Sequence, residues 1–381
     1  MNLFEPTPRH PVKLFLMIFD TFSHFLDRTK ALVFFLGALF LLWFAVEALV
    51  WRSGLYYKVA EPWSNTGATV NALMNIERVY RPGLRTVLVF GDSRVAEGFS
   101  GQLASNGGHI NFINLAVPGS TPRTWYYLLR KIDRSGYKYE AVLVCLGFST
   151  LQRRASEWVL DPPHDAPLLD LRDTFSYPES FSTSEMRRRA AYAILAPAVT
   201  MQEDVRTFLT APIQRWQEVF RERPGYLGAL TVYSGHEERM PPIAFNLSRE
   251  VCDWGSSTAE QRALVEANIS SLRTKPNLPL EADNHAYDAK WLSTIAAWVH
   301  AHGAKTIFFR LPRGPYRDLL PREFAPLPVE AADGLIILPG DVAGELERPE
   351  YFFDFLHLNR FGRARMTAIL SNNVRTLLSG K

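Results

Sequence analysis

The sequence predicts an α/β protein, a parallel sheet covered by helices, standing behind one membrane-spanning helix. Three observations carry that reading: an apolar segment near the N-terminus, short β-branched runs that end in glycine, and amphipathic helical stretches between those runs. Composition sets the outer bounds. In 381 residues, 47% hydrophobic and 13% aromatic side chains exclude a disordered or collagen-like chain. Lys plus Arg (42) against Asp plus Glu (39) leave a net charge of +3, too even to argue for nucleic acid or another polyanion. Two cysteines, Cys145 and Cys252, cannot build a disulfide scaffold, a zinc ribbon or an iron–sulfur site. Both read as buried free thiols. The nine histidines are scattered without metal-ligand spacing, so neither a metal nor another cofactor is expected.

Residues 1–30 form an N-terminal segment in which Leu14 to Leu26 sets Phe15, Ile18, Phe19, Phe22 and Phe25 near one helical face. Such a face suits the inner membrane interface, the preferred reading, or a partner membrane protein. Ala31 to Val50 (ALVFFLGALFLLWFAVEALV) carries one charge, Glu47. A helix of this length spans the roughly 30 Å hydrocarbon core of a bilayer. The run is too long and starts too late for a cleaved signal peptide. Arg9, Lys13, Arg28 and Lys30 precede it and Arg52 and Lys58 follow, which favours an inside N-terminus with the remainder exported. The expected location is a bacterial inner membrane, with the main domain in the periplasm. Residues 51–84 show no clear period and read as a stalk, and 85–381 as the main domain.

Strands are expected at Thr86 to Gly91, Ile110 to Ala116, Ala141 to Gly147, Lys305 to Pro312 and, more weakly, from Gly334. Helical spacing ends at Gly136, runs from Ala286 to His302 with Gly303 as its stop, and closes the chain from Asn359 to Leu378. The stretch from about 151 to 283 breaks this rhythm, being rich in Pro, Arg and Ser, with helical pieces near Ser184 to Leu195 and Thr258 to Leu272. It reads as an insertion that shapes a substrate cleft.

The first strand runs into Gly91-Asp92-Ser93-Arg94. A serine just past a strand end, approaching a helix N-terminus, exposes its hydroxyl at the ligand edge of a parallel sheet, with backbone N–H groups near for an oxyanion. Alone it equally fits an ordinary turn. Near the C-terminus, Asp354-Phe355-Leu356-His357 lets a carboxylate accept from one imidazole nitrogen while the other takes the serine proton. Arg94 suits orientation of an anionic substrate, although pairing with a structural carboxylate is the commoner fate. Trp125, Tyr126 and Tyr127 suit stacking on a sugar or packing against the sheet. Arg187, Arg188 and Arg189 read as a solvated face, with contact to an acidic polysaccharide as the sharper alternative.

GDSR (Gly91 to Arg94), NLAVPG (Asn114 to Gly119), LGFS (Leu146 to Ser149) and DFLHLN (Asp354 to Asn359), in this order, resemble the sequence blocks of the SGNH/GDSL hydrolases. The resemblance covers about residues 86–150 and 286–375. It implies a flavodoxin-like, three-layer α/β/α domain. By the same resemblance Ser93 is the nucleophile, His357 the general base, Asp354 its orienting carboxylate, and the N–H groups of Ser93 and Gly119 are oxyanion donors. The family's third donor is an Asn, and Ser149 stands in its place. Three alternatives follow: Ser149 substitutes, the insertion supplies a donor, or the oxyanion hole is weaker by roughly 3 kcal/mol.

A single-span member with its domain outside resembles the alginate O-acetyltransferases and the D-alanyl transfer proteins of teichoic acids. That likeness implies an acyltransferase, or an esterase, acting on O-acyl groups of an extracytoplasmic polysaccharide beside a multi-span membrane-bound O-acyltransferase. The alternatives are a plain carbohydrate esterase and a catalytically weak glycan-binding subunit.

Overall fold

The computed structural model describes residues 11–106, 108–147, 154–231, 235–246, 251–255, 257–263, 265–266, 278–317, 327–329 and 332–379. The chain divides into two compact units between Leu55 and Tyr56. The first holds one continuous helix, α1 (Pro11–Glu47), extended by a π-helical turn, Ala48–Arg52. Within it, Thr29–Arg52 is long and apolar enough to cross a membrane, and only 6% of its most apolar window is buried. A soluble core helix hides such a surface, so low burial favours lipid as its surroundings.

The second unit is built on a five-stranded sheet. Its strands are β1 (Arg85–Phe90), β2 (Ile110–Asn114), β3 (Ala141–Leu146), β6 (Lys305–Arg310) and β7 (Leu335–Ile337), all parallel in the order β2-β1-β3-β6-β7. A separate antiparallel pair, β4 (Ala244–Asn246) and β5 (Val251–Asp253), lies in the insertion. The register sets Val89 against Asn114, Val87 against Ala141 and Leu146 against Arg310. Val87 to Phe90, Val142 to Val144 and Ile307 to Phe309 are essentially inaccessible to solvent. Unbroken burial, rather than alternation, is what a parallel strand covered on both faces requires, and it explains why these segments read as continuous apolar runs.

From β1 the chain steps to β2 in one direction and then back across to β3 in the other. With right-handed crossovers the two connections fall on opposite faces of the sheet. The first carries α3 (Ser93–Gly98) and α4 (Gly101–Ser105), against which the C-terminal helix Arg360–Ser379 packs. The second carries α5 (Pro122–Arg134), joined by the helix Leu278–Ala301. That long helix ends where the sequence placed its stop: Gly303 adopts φ +74, and Ala304 N donates to Val299 O at 3.1 Å.

The stalk expected over 51–84 is replaced by structure. Residues 65–79 form α2 (Asn65–Val79), capped by Ser64, whose hydroxyl accepts from Gly67 N. Its inner face includes Asn71 and Asn75, both fully buried, and Asn75 Nδ2 donates to Asn114 O at the end of β2. Polar residues on a buried face concealed the helical period. The helix Leu278–Ala301 also begins earlier than Ala286; of the helix expected at Thr258 to Leu272, residues 259–263 and 265–266 are helical, and 264 and 267–272 lie outside the described residues. Cys145 is a buried free thiol.

Candidate active site

Ser93 opens α3 directly beyond β1. Asp92 is the N-cap: its backbone is extended and its carboxylate accepts from Arg94 N at 2.9 Å. A side chain at Gly91 would overlap that of Val95, so only glycine lets the chain turn from strand to helix here. Strand order reverses between β1 and β3, and a crevice therefore opens beyond their carboxyl ends. Ser93 sits at that edge, half-buried.

The second half of the site lies 264 residues away, where His357 Nε2 is 2.9 Å from Ser93 Oγ. His357 Nδ1 in turn is 2.8 Å from Asp354 Oδ2. The loop that presents this pair is fixed at several points. Leu356 N and His357 N both donate to Asp354 Oδ1, at 2.7 and 2.6 Å, and Phe353 N donates to His357 O. Phe352 bridges Leu358, and the Phe353 ring stacks on His357 at 18° between planes. Asn359, fully buried, caps the final helix by accepting from Phe361 N and Gly362 N, while its amide donates to Glu238 O and Glu350 O. Burial alone would raise the Asp354 carboxyl. The hydrogen bond and charge of His357, with the two backbone N–H groups, outweigh it and hold the carboxyl below its ordinary range.

The loop after β2 comes alongside, because Val117 N donates to Gly91 O at 3.0 Å. Gly119 has φ +74, a conformation other residues rarely adopt, and its carbonyl accepts from Trp158 Nε1 at 2.8 Å. Behind it lies a sealed polar cluster. Thr121 Oγ1 donates to Asp161, which also pairs with Arg123, both side chains fully buried. Tyr287 Oη lies 2.7 Å from Thr121 Oγ1, and Tyr177 donates to Asp165. Burial pushes the Asp161 carboxyl up, and Asp165 higher still. His164, beside Gly119, is fully buried and lowered to about 4 by desolvation, against the pull of the Asn65 carbonyl.

Arg94 pairs with Asp92, its Nη2 2.5 Å from Oδ2 and its Nε 3.1 Å from both oxygens. Its guanidinium lies flat on Gly147 at the end of β3, where any Cβ would overlap it. Burial would raise the Asp92 carboxyl, and the Arg94 charge and hydrogen bonds more than reverse this. Trp125 and Tyr127 are buried, and Tyr126 packs on Trp291 and Trp298, so these aromatics belong to the helical layer over the sheet. Arg189 pairs with Glu185 on an exposed face, and Arg187 donates to Phe181 O. Ser149 lies outside the described residues.

Sequence reasoning named Ser93, Asp354, His357 and Gly119, and the first three form one hydrogen-bonded run. It favoured a carboxylate partner for Arg94 without naming Asp92, and it missed the Arg94–Gly147 contact, the Trp158 bond to Gly119 and the cluster around Asp161. The Asp before a helix start was a visible capping signal; the other contacts join segments that spacing alone cannot pair. Among the described residues, no group of three or more His, Cys, Asp or Glu is arranged to hold a metal ion. No family model, curated protein or solved structure matches the chain.

Proposed function

We propose that this chain is a membrane-anchored SGNH-type serine acyltransferase or esterase that acts on O-acyl groups, acetyl above all, of an extracytoplasmic polysaccharide. The observation that carries the reading is the run Ser93 Oγ, His357 Nε2, His357 Nδ1, Asp354 Oδ2, with spacings of 2.9 and 2.8 Å, at the sheet edge where ligands bind. In the sheet's own sequence the strand order is 2-1-3-4-5, the flavodoxin-like order, which supports the family resemblance. The apolar helix and its basic N-terminal flank support an inner-membrane anchor with the domain in the periplasm.

In this reading Ser93 Oγ attacks the ester carbonyl carbon as its proton passes to His357 Nε2. Asp354 keeps the other ring proton on Nδ1 and stabilises the imidazolium that forms. The carbonyl oxygen, now negative, accepts from the N–H groups of Ser93 and Gly119. Collapse breaks the bond to the leaving alcohol, which takes the proton from His357, and leaves acyl-Ser93. Water or a sugar hydroxyl, deprotonated by His357, then attacks the acyl carbon and returns Ser93 to its starting form. A partner membrane-bound O-acyltransferase would supply the acyl group.

Transfer and hydrolysis separate in one assay. The full chain receives p-nitrophenyl acetate and a panel of uronate and neutral oligosaccharides, and mass spectrometry follows the sugars. Acetyl ester on a sugar, absent with Ser93→Ala, supports transfer; free acetate alone at saturating acceptor supports the esterase. The Gly-x-Ser sequence at the third block favours a second reading, a glycan-binding subunit with weak catalysis. Glycan binding without turnover, unchanged by Ser93→Ala, would select it.

A further inference from the structure

We infer that the exported domain makes a second contact with the bilayer, through an apolar stripe on the helix Pro212–Thr231. The inference rests on reading Thr29–Arg52 as a membrane span, and it concerns a surface that takes no part in the acyl chemistry above.

The stripe is formed by Ile213, Trp216 and Phe220, spaced three and four residues apart and therefore on one face. They are 76%, 52% and 65% exposed, and the rings of Trp216 and Phe220 lie 5.2 Å apart. Leu209, on the preceding helix Gln202–Thr210, adds a fourth apolar side chain at 71% exposure. The inward side of the helix carries different residues, Val219, Tyr226, Leu227 and Leu230, all buried, so the stripe is surplus to the fold. Surplus contiguous apolar surface marks a contact with a partner or a membrane.

Chain connectivity selects the membrane. Only Ser53, Gly54 and Leu55 separate Arg52, at the end of the apolar segment, from Tyr56. Four steps along the chain reach at most about 14 Å, which keeps Tyr56 in or close above the headgroup region. The segment from Tyr56 onward is tied to the stripe's own helix pair. Tyr56 Oη donates to Asp204 Oδ2 at 2.5 Å, and Arg215 Nη1 donates to Asp204 Oδ1 at 2.5 Å. Glu61 N donates to Asp204 as well, and Arg223 donates to the carbonyls of Lys58 and Ala60 at 2.6 and 2.7 Å. Buried Arg215 and Arg223 thus fasten the helix to the residues that emerge from the span. A Trp beside aliphatic and aromatic neighbours suits the bilayer interface, where an apolar body and a polar N–H are both accommodated.

The exposed cations on these two helices are paired, Arg206 with Glu203 and Arg221 with Glu222. The stripe itself therefore makes an apolar contact. Its role would be to hold the domain at a set height and orientation above the membrane.

Full-length chain in phosphatidylcholine vesicles, labelled with a nitroxide at Ile213→Cys or Phe220→Cys, tests this. Oxygen, which partitions into lipid, is compared with an aqueous nickel complex as the relaxing agent. Leu39→Cys reports the span and Glu185→Cys the water-facing surface. The expected result is an oxygen-to-nickel ratio at 213 and 220 several-fold above that at 185, already in phosphatidylcholine alone. Lipid-like behaviour at 39 with water-like behaviour at 213 and 220 would overturn the inference. So would shielding of 213 and 220 from both reagents, which would mean that a second protein copy covers the stripe. Water-like behaviour at 39 would instead remove the span on which the inference stands.

Discussion

His357 Nε2 stands 2.9 Å from Ser93 Oγ, although 264 residues separate the two in sequence. Two independent devices produce that meeting. A capped turn beyond β1 presents the serine, and an Asp-x-x-His turn ahead of the last helix presents the imidazole. The His357 ring is 21% exposed, so the pair lies within reach of a ligand yet is shielded enough for its hydrogen bonds to hold.

Asp354 has two separable duties, and Asp354→Asn divides them. An Asn Oδ1 still accepts from Leu356 N and His357 N, so the loop keeps its shape. Its amide would face His357 Nδ1, which must then lose its proton and place the hydrogen on Nε2, the wrong tautomer for a base. Turnover of p-nitrophenyl acetate should fall by about 100-fold or more with little change in KM. An unaltered kcat would remove Asp354 from the account.

Gly147 and Arg94 should behave as one unit. In Gly147→Ala the new methyl displaces the Arg94 guanidinium and loosens its pairing with Asp92, the N-cap beside Ser93. Activity and melting temperature should both drop. In Gly147→Ala/Arg94→Ala the methyl meets no guanidinium, so the two losses should be clearly less than additive. Simple additivity would show that the contact is incidental.

Gly119 is constrained by backbone, not by space. An added Cβ would meet Leu160 Cδ1 at 3.5 Å and His164 Nε2 at 3.7 Å, ordinary contacts, while φ +74 remains unfavourable for a side chain. Gly119→Ala should cost about 1–2 kcal/mol in chemical denaturation, and Gly119→Asn less, because Asn tolerates this region. Equal losses for both would point to crowding.

His164 supplies a pH signature. Its folded pKa of about 4 lies below the ordinary 6.5, so between those values the unfolded chain binds a proton that the folded chain refuses. Stability from this group is complete above 6.5 and falls as pH drops toward 4, by as much as about 3 kcal/mol. Parent and His164→Phe share Asp161 and Asp165, so the difference in their melting temperatures isolates the histidine. The parent's advantage should shrink from pH 7 to pH 4.5; a constant difference would contradict the assignment.

The strands were legible because a parallel strand buried on both faces leaves an unbroken apolar run, as in Val87 to Phe90 and Ala141 to Cys145. Ser93, Asp354 and His357 were legible because a serine just past a strand end and the Asp-x-x-His spacing are local signals. α2 was not, since its buried face includes Asn71 and Asn75, polar residues whose Nδ2 groups donate to the Pro62 and Asn114 carbonyls. The Arg123–Asp161 pair was hidden for the same reason: buried ions are permitted by partners that the fold supplies. The exposed stripe at Ile213, Trp216 and Phe220 has helical spacing but gives no sign in sequence of facing outward.

The central claim is that Ser93 is a nucleophile activated by His357. Full-length chain incubated with a fluorophosphonate and digested for mass spectrometry tests it directly. The account predicts one adduct, on the peptide carrying Ser93, lost in Ser93→Ala and formed at least about 100-fold more slowly in His357→Ala. No adduct on the folded parent chain, or an adduct that survives Ser93→Ala, would contradict it.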